Sequence, residues 1–340
     1  MNWFLLALVL CTIRAVPRQE NSDYMSKEST VRVKGIFTLL VLLYHFSSYI
    51  TPGADDAMFL SLKKNIGQSL VAMFMFYSGY GIMEQIKRRG QEYVKTLPSR
   101  FLKVLLQFVS VVIVYMIYKA LIGKTYSVTH YLLALVGWSS VGNSNWYIFV
   151  TLCLYVITFL VFVIPGDRFK NAARAAAVVL LCFVLIAALK VLGKDTYFYN
   201  TLLVYPLGML FSMYRKRIEP ILRWHMALPL AAVLYGIVSF LPMYFPVYEA
   251  RVFLFTAIVL LISMRVELTS AVLAFAGSHV FSIYIIHRLP MDIMDRLGMA
   301  QTRPYLSLFT VIAVTCVLAV CFDETVVVMI DRLLKRQKEA

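Results

Sequence analysis

Apolar residues run along this chain in stretches of about 17–20 residues, the length that crosses a bilayer as a helix. Short polar segments separate them. Spans fall near Gly35–Ile50, Ile66–Met83, Val104–Leu121, Trp146–Ile164, Ala172–Leu192, Phe198–Tyr214, Met226–Phe245, Val252–Met264, Ala271–Leu289 and Tyr305–Phe322. The pattern predicts an all-α polytopic membrane protein of about ten transmembrane helices. Val252–Met264, bounded by Arg251 and Arg265, is short for a perpendicular crossing. Asn2–Ile13 is apolar for only about a dozen residues before Arg14, which suits a signal-peptide core or an interfacial segment better than a full span, although no basic stretch precedes it. Met25 offers a second translation start. Two regions follow: a short apolar segment with a polar linker over residues 1–30, and a membrane domain over residues 31–340.

Charge then orients the bundle. If the segment before Gly35 is cytoplasmic, the inner segments are Arg14–Lys34, Glu84–Lys103, Pro165–Arg174, Arg215–His225, the turn at Arg265 and the tail from Asp331. Together they hold 23 of the 33 Lys and Arg. Every alternation obeys the positive-inside rule, so both ends of the ten-helix core are expected in the cytoplasm. A composition of 61% hydrophobic and 15% charged residues excludes an ordinary soluble domain, which has about 45–50% and about 25%. The net charge of +15 would suggest nucleic acid in a soluble protein. Here topology accounts for it, and no nucleic-acid partner is expected. Cys11, Cys153, Cys182, Cys316 and Cys321 lie in apolar runs without disulfide or metal-site spacing. With no Gly-rich nucleotide loop, Cys-x-x-Cys or His-Glu-x-x-His either, neither a metal nor a bound cofactor is expected.

Chemistry must therefore come from polar residues inside the helices, where each ionisable group costs on the order of 3 kcal/mol. Lys34 and His45 are eleven residues apart, which puts them on one helical face about 16 Å apart along the axis. A snorkelling lysine and a hydrogen-bonded structural histidine would explain that pair equally well. Ser78-Gly79-Tyr80-Gly81 closes an aromatic stretch, either to let helices pack closely or to open a flat entrance into the bundle. Arg100 and Lys103 share one side of the next helix mouth, where they are suited to a phosphorylated ligand. His287 lies near the outer end of its helix, at the level of His45, while Asp55, Asp56, Glu249, Asp292 and Asp295 fall in outer loops and are candidates to orient one of the histidines.

These residues together resemble acyltransferase family 3, integral membrane proteins that include O-acetyltransferases of bacterial envelope polysaccharides. The likeness rests on Leu-Leu-Tyr44-His45, Phe-Met-Phe-Tyr-Ser78-Gly79-Tyr80, Arg100-x-x-Lys103, Asn145-Trp146-Tyr147 and Tyr284-Ile-Ile-His287, in order from Lys34 to Arg288. Two positions depart from the family pattern. Lys34 and Lys103 stand where many members have arginine, so charge is kept but the bidentate fork is lost; Arg32 is placed to supply a missing contact.

The resemblance implies a multi-pass protein of the bacterial cytoplasmic membrane that moves an acetyl or other acyl group from acyl-CoA, a co-substrate, to a sugar hydroxyl. The acceptor would be an envelope glycan or a lipid-linked saccharide. Lys34, Arg32, Arg100, Lys103, Ser78 and Tyr80 would bind acyl-CoA, His45 would be the general base, and His287, Tyr284, Asn145 and Trp146 would position the acceptor. The competing class is a transporter or flippase, which predicts inverted repeats and paired broken helices; the sequence offers neither. A structural subunit without chemistry gives no reason for Lys34 and His45 to share a face.

Overall fold

The computed structural model describes residues 1–51, 53, 56–164 and 168–339. Asp55 and the start of the predicted loop Pro165–Arg174 lie outside the described residues. Most of the described chain is helical, because amides in apolar runs have no partner in lipid except within their own helix. In chain order the helices are α1 (Asn2–Thr12), α2 (Lys27–Phe46), α3 (Ala57–Ile66), α4 (Ser69–Arg89), α5 (Gln91–Val94), α6 (Leu97–Leu121), α7 (Val128–Leu135), α8 (Trp146–Phe162) and α9 (Arg168–Val191). Then come α10 (Val204–Leu222), α11 (Ala227–Phe240), α12 (Phe245–Ser263), α13 (Ala271–Ser278), α14 (Val280–Ile286), α15 (Arg288–Arg296), α16 (Met299–Thr302), α17 (Pro304–Phe322) and α18 (Val328–Glu339). Two short strands, β1 (Ala15–Pro17) and β2 (Val266–Leu268), pair antiparallel with Val16 opposite Glu267.

Each predicted span falls on these helices, but their lengths differ from the sequence reading. Among the described residues five helical runs are long and apolar enough to cross a membrane: Lys27–Phe46, Gln91–Leu121, Asn171–Val191, Phe245–Ser263 and Pro304–Arg336. Two bent pairs, α10 with α11 at 101° and α13 with α14–α15 at 68°, bring the number to seven if each is one span. The predicted span Ala271–Leu289 is thus broken at His279, whose side chain turns to Asp323. The basic segment Arg215–His225 is mostly helix, because the Arg215–Glu219 ion pair supports another turn of α10.

Helix α12 starts at Phe245, earlier than the hydrophobic run suggests, with Pro246 in its first turn, where a missing N–H costs nothing. Three of the carboxylates expected in outer loops are therefore on helices: Glu249 is buried inside α12, and Asp292 and Asp295 sit on α15.

Glycines set the closest helix crossings. A Cβ on Gly35 of α2 would lie 2.1 Å from the Leu273 carbonyl oxygen of α13, and one on Gly277 would lie 1.8 Å from that of Val31. Gly79 and Gly208 join α4 to α10 in the same way, so Gly79 serves close packing, whereas Gly81 meets open space. The bundle exterior is apolar along Ile113, Ile117, Leu180, Val184, Phe309 and Val317, as a lipid-facing surface must be. Residues before α2 join the same body: Leu5 and Leu8 are buried, and the Tyr24 hydroxyl donates to Glu219 at 2.6 Å.

Candidate active site

Helix α2 fixes the first site residue. Its N-terminus is set by Ser26, whose hydroxyl accepts from the Ser29 amide at 3.2 Å, and its last turn carries His45. Helix α14 runs to the same end of the bundle and delivers His287. The Nδ1 of His45 lies 2.5 Å from the Nε2 of His287, with the two rings nearly parallel at 6°. His287 Nδ1 lies 3.0 Å from the Ile283 carbonyl oxygen one turn back.

These contacts assign the tautomers of a neutral pair. A carbonyl only accepts, so His287 Nδ1 carries the hydrogen and its Nε2 has the lone pair. His45 Nδ1 must then donate to that lone pair, which leaves His45 Nε2 unprotonated. The arrangement is that of a base whose far nitrogen is held by an orienting partner. Neither histidine hydrogen-bonds a carboxylate among the described residues. Asp56 bonds the Gly53 amide, Asp292 is held by Tyr118, Lys119 and Arg296, and Glu249 has no hydrogen-bond partner. The expectation that a loop carboxylate orients a histidine therefore gives way to the second histidine.

His45 lines a cavity of about 300 Å³ together with Asn145, Trp146, Tyr284, Ser144 and Arg288. His287 stands behind His45, outside that lining. The loop before α8 is pinned from several sides. Asn145 Nδ2 donates to the Gly137 carbonyl at 2.8 Å, the Asn143 side chain accepts from the Val141 amide at 3.0 Å, and Gly142, at φ +104°, packs on the Lys119 stem. Arg288 Nε donates to Ser144 Oγ at 2.9 Å, fixing a guanidinium in the cavity wall. The Tyr284 hydroxyl is buried without a hydrogen-bond partner among the described residues. Arg288 and Ser144 were not singled out from the sequence. Their signals were the run Ser139-Ser140-Val141-Gly142-Asn143-Ser144 between apolar segments and the cation directly after His287.

The residues expected to hold phosphate do not gather as tightly. Lys34 is half-buried on α2, and Arg32 has a buried Nε with no hydrogen-bond partner among the described residues. Arg100 stacks over the Tyr93 ring at 4.9 Å, and Lys103 forms an ion pair with Asp331 at 2.6 Å. Tyr80 accepts from Arg215 Nη1 at 3.0 Å, while Arg215 also holds Glu219 at 2.6 Å; Ser78 is half-buried. Among the described residues no hydrogen bond or ion pair links Lys34, Arg100 and Lys103. Arg215, read from the sequence only as a topogenic charge, is thus part of the Tyr80 surroundings.

A family model described as an acyltransferase domain matches residues 32–322, well over half of the chain. No curated protein matches the chain, and no solved structure does.

Proposed function

This chain belongs to the acyltransferase family whose pattern it carries over residues 32–322, and from that membership we propose that it moves an acyl group from acyl-CoA to a sugar hydroxyl, with His45 as general base. A membrane acyltransferase must bring a water-soluble donor to its acceptor through an apolar bundle. The nucleotide end of acyl-CoA would meet Lys34, Arg32, Arg100, Lys103 and Tyr80 on the cytoplasmic side, Ser78 lying on the same stretch of α4. The pantetheine arm would follow α2, whose rise of about 16 Å from Lys34 to His45 suits such an arm. An envelope glycan or lipid-linked saccharide would enter from the opposite end, which faces away from the cytoplasm if both core termini lie inside.

The observation that carries this reading is the His45–His287 pair beside a polar cavity in an otherwise apolar bundle. In the reaction, His45 Nε2 takes the proton of the acceptor hydroxyl as its oxygen attacks the thioester carbonyl carbon. The C–S bond then breaks, and the same proton passes from His45 to the departing thiolate, giving the ester and free CoA. Arg288, fixed by Ser144, is close enough to the cavity to support the oxyanion, with Asn145, Trp146 and Tyr284 shaping the acceptor site. The transporter reading has the two bent pairs, α10 with α11 and α13 with α14–α15, on its side, but the family match is to an acyltransferase domain.

The test uses purified wild type and His45→Ala in detergent, both shown to be folded. Acetyl-CoA is supplied with and without a crude envelope-glycan extract, and CoA release is measured. Release that needs His45 and rises with the extract supports acyl transfer. Folded wild type that neither binds nor cleaves acetyl-CoA, and does no better with a longer acyl donor, overturns the reading.

A further inference from the structure

A second cavity, of about 820 Å³, adjoins the histidine cavity, and the two share Tyr44, Gly67 and Gln68. Four cations line it, Lys63, Lys64, Lys190 and Arg251, and among the described residues no carboxylate does. Their own contacts are weak neighbours for a charge. Lys63 donates to Ser47 Oγ at 2.8 Å, and Lys190 faces the Phe245 ring at 3.9 Å. Arg251 is only 5% exposed, its Nε has no hydrogen-bond partner among the described residues, and its guanidinium lies 5.3 Å from the Tyr248 ring. Glu249, two residues before it, forms no ion pair among the described residues and lies outside the lining. Elsewhere at this end Lys119 and Arg296 both hold Asp292, while Arg288 donates to Ser144 Oγ and Lys194 to the Trp138 carbonyl oxygen.

Positive charge at the outer end runs against the topological bias, and a buried arginine without a counter-ion is costly. Arg251 is the buried member, Lys63 is half-buried, and Lys64 and Lys190 are exposed at the rim, so an anion arriving from outside the chain would give the arginine its missing partner and meet the lysines as well. Tyr199, Tyr244 and Tyr248 line the same cavity, and their ring faces suit the C–H face of a sugar. The two cavities meet at Tyr44, Gly67 and Gln68, and His45 lines the first, so a saccharide spanning both would bring a hydroxyl next to the base.

We propose, resting on the transferase reading, that this cavity binds an anionic group, carboxylate or phosphate, of the saccharide acceptor, and that the enzyme therefore selects acidic over neutral acceptors. An oxyanion seated among Lys63, Lys190 and Arg251 gains charge-assisted hydrogen bonds that a neutral sugar cannot make. The phosphate of an anionic lipid headgroup has the same chemistry, and the experiment separates the two sources.

The probe is an oligogalacturonate, with its carboxyl-reduced neutral counterpart as control, titrated onto the full-length protein in phosphatidylcholine nanodiscs. The acidic probe is expected to bind about tenfold more tightly, and the preference should fall as salt rises. Lys63→Gln and Lys190→Gln should each lose most of that preference, as should Arg251→Gln if it folds. Exposed Lys64→Glu keeps the test valid if buried substitutions unfold the protein. Equal affinity for the two probes, or a preference unchanged in Lys64→Glu and Lys63→Gln, overturns the proposal. Loss of acidic-probe binding in nanodiscs containing phosphatidylglycerol assigns the site to lipid headgroups and also overturns it. CoA release is read separately, so failed acyl transfer with intact acidic-probe binding defeats only the transferase reading.

Discussion

His287 Nε2 accepts from the Nδ1 of His45 at 2.5 Å while its own Nδ1 donates to the Ile283 carbonyl oxygen at 3.0 Å. The second histidine thus stands where a carboxylate orients the base in many hydrolytic triads. A carboxylate would favour an imidazolium strongly. A neutral imidazole instead fixes the tautomer without adding charge to an apolar bundle.

The two histidines should therefore fail differently. His45→Ala removes the proposed base and is expected to lower the single-turnover rate by about 10²–10⁴-fold. His287→Leu keeps the base but frees its ring, and should lower kcat by roughly 10–100-fold with acyl-CoA KM little changed. His287→Gln can still accept from His45 through its amide oxygen and should recover part of the loss. Equal rates in the Leu and Gln variants would show that His287 does not act through His45.

Asp292 secures the ceiling of the histidine cavity from a distance. It holds Lys119, 5% exposed, at 3.0 Å, and the Lys119 stem supports Gly142. Asp292→Ala leaves that ammonium unpaired at a cost of about 3 kcal/mol. Thermal unfolding in detergent should shift down, and the loop carrying Asn143, Ser144 and Asn145 should loosen. Asp292→Ala with Lys119→Met should regain most of the stability, since the buried charge is then gone as well.

The break between α13 and α14 has its own lock. His279 Nδ1 and Ser282 Oγ both meet Asp323, each at 2.5 Å, where α17 passes into the π-helical turn Asp323–Val327. A π-turn inserted into a helix often marks such a functional placement. Asp323→Asn weakens both contacts and is expected to cost about 1–3 kcal/mol. In a double-mutant cycle with His279→Gln the two losses should be strongly non-additive. Additive losses would mean that the pair is incidental to the bend.

Much of the helical layout was legible because hydrophobic runs report lipid contact directly. What misled was the use of charge to end a helix. Arg251 and the basic residues after Tyr214 bounded spans in the sequence, yet each continues its helix, buried in one case and paired along the helix in the other. His45, Asn145, Trp146 and Tyr284 were singled out from the sequence and line one cavity with each other, with His287 directly behind. The cation cluster of Lys63, Lys190 and Arg251 was not legible, because its members come from three distant helices and share no local spacing. Pairing of His45 with His287 was beyond the sequence too: it depends on how α2 and α13–α14 cross.

That crossing is set by glycine, and it can be tested against a built-in control. A Cβ on Gly277 would lie 1.8 Å from the backbone carbonyl oxygen of Val31, an atom that cannot swing aside, whereas a Cβ on Gly81 meets nothing within 4 Å. Gly→Ala inside a helix ordinarily gains up to about 1 kcal/mol from propensity. Gly81→Ala should therefore be neutral or slightly stabilising, with transfer unaffected. In Gly277→Ala the gain is outweighed by forced separation of α2 from α13, at about 1–3 kcal/mol. Because α13 leads through the His279 bend into α14, that separation also moves His287 away from His45. Gly277→Ala should then unfold at lower temperature and lose kcat at temperatures where it is still folded. A Gly277→Ala enzyme with full kcat would show that the dyad does not depend on this crossing.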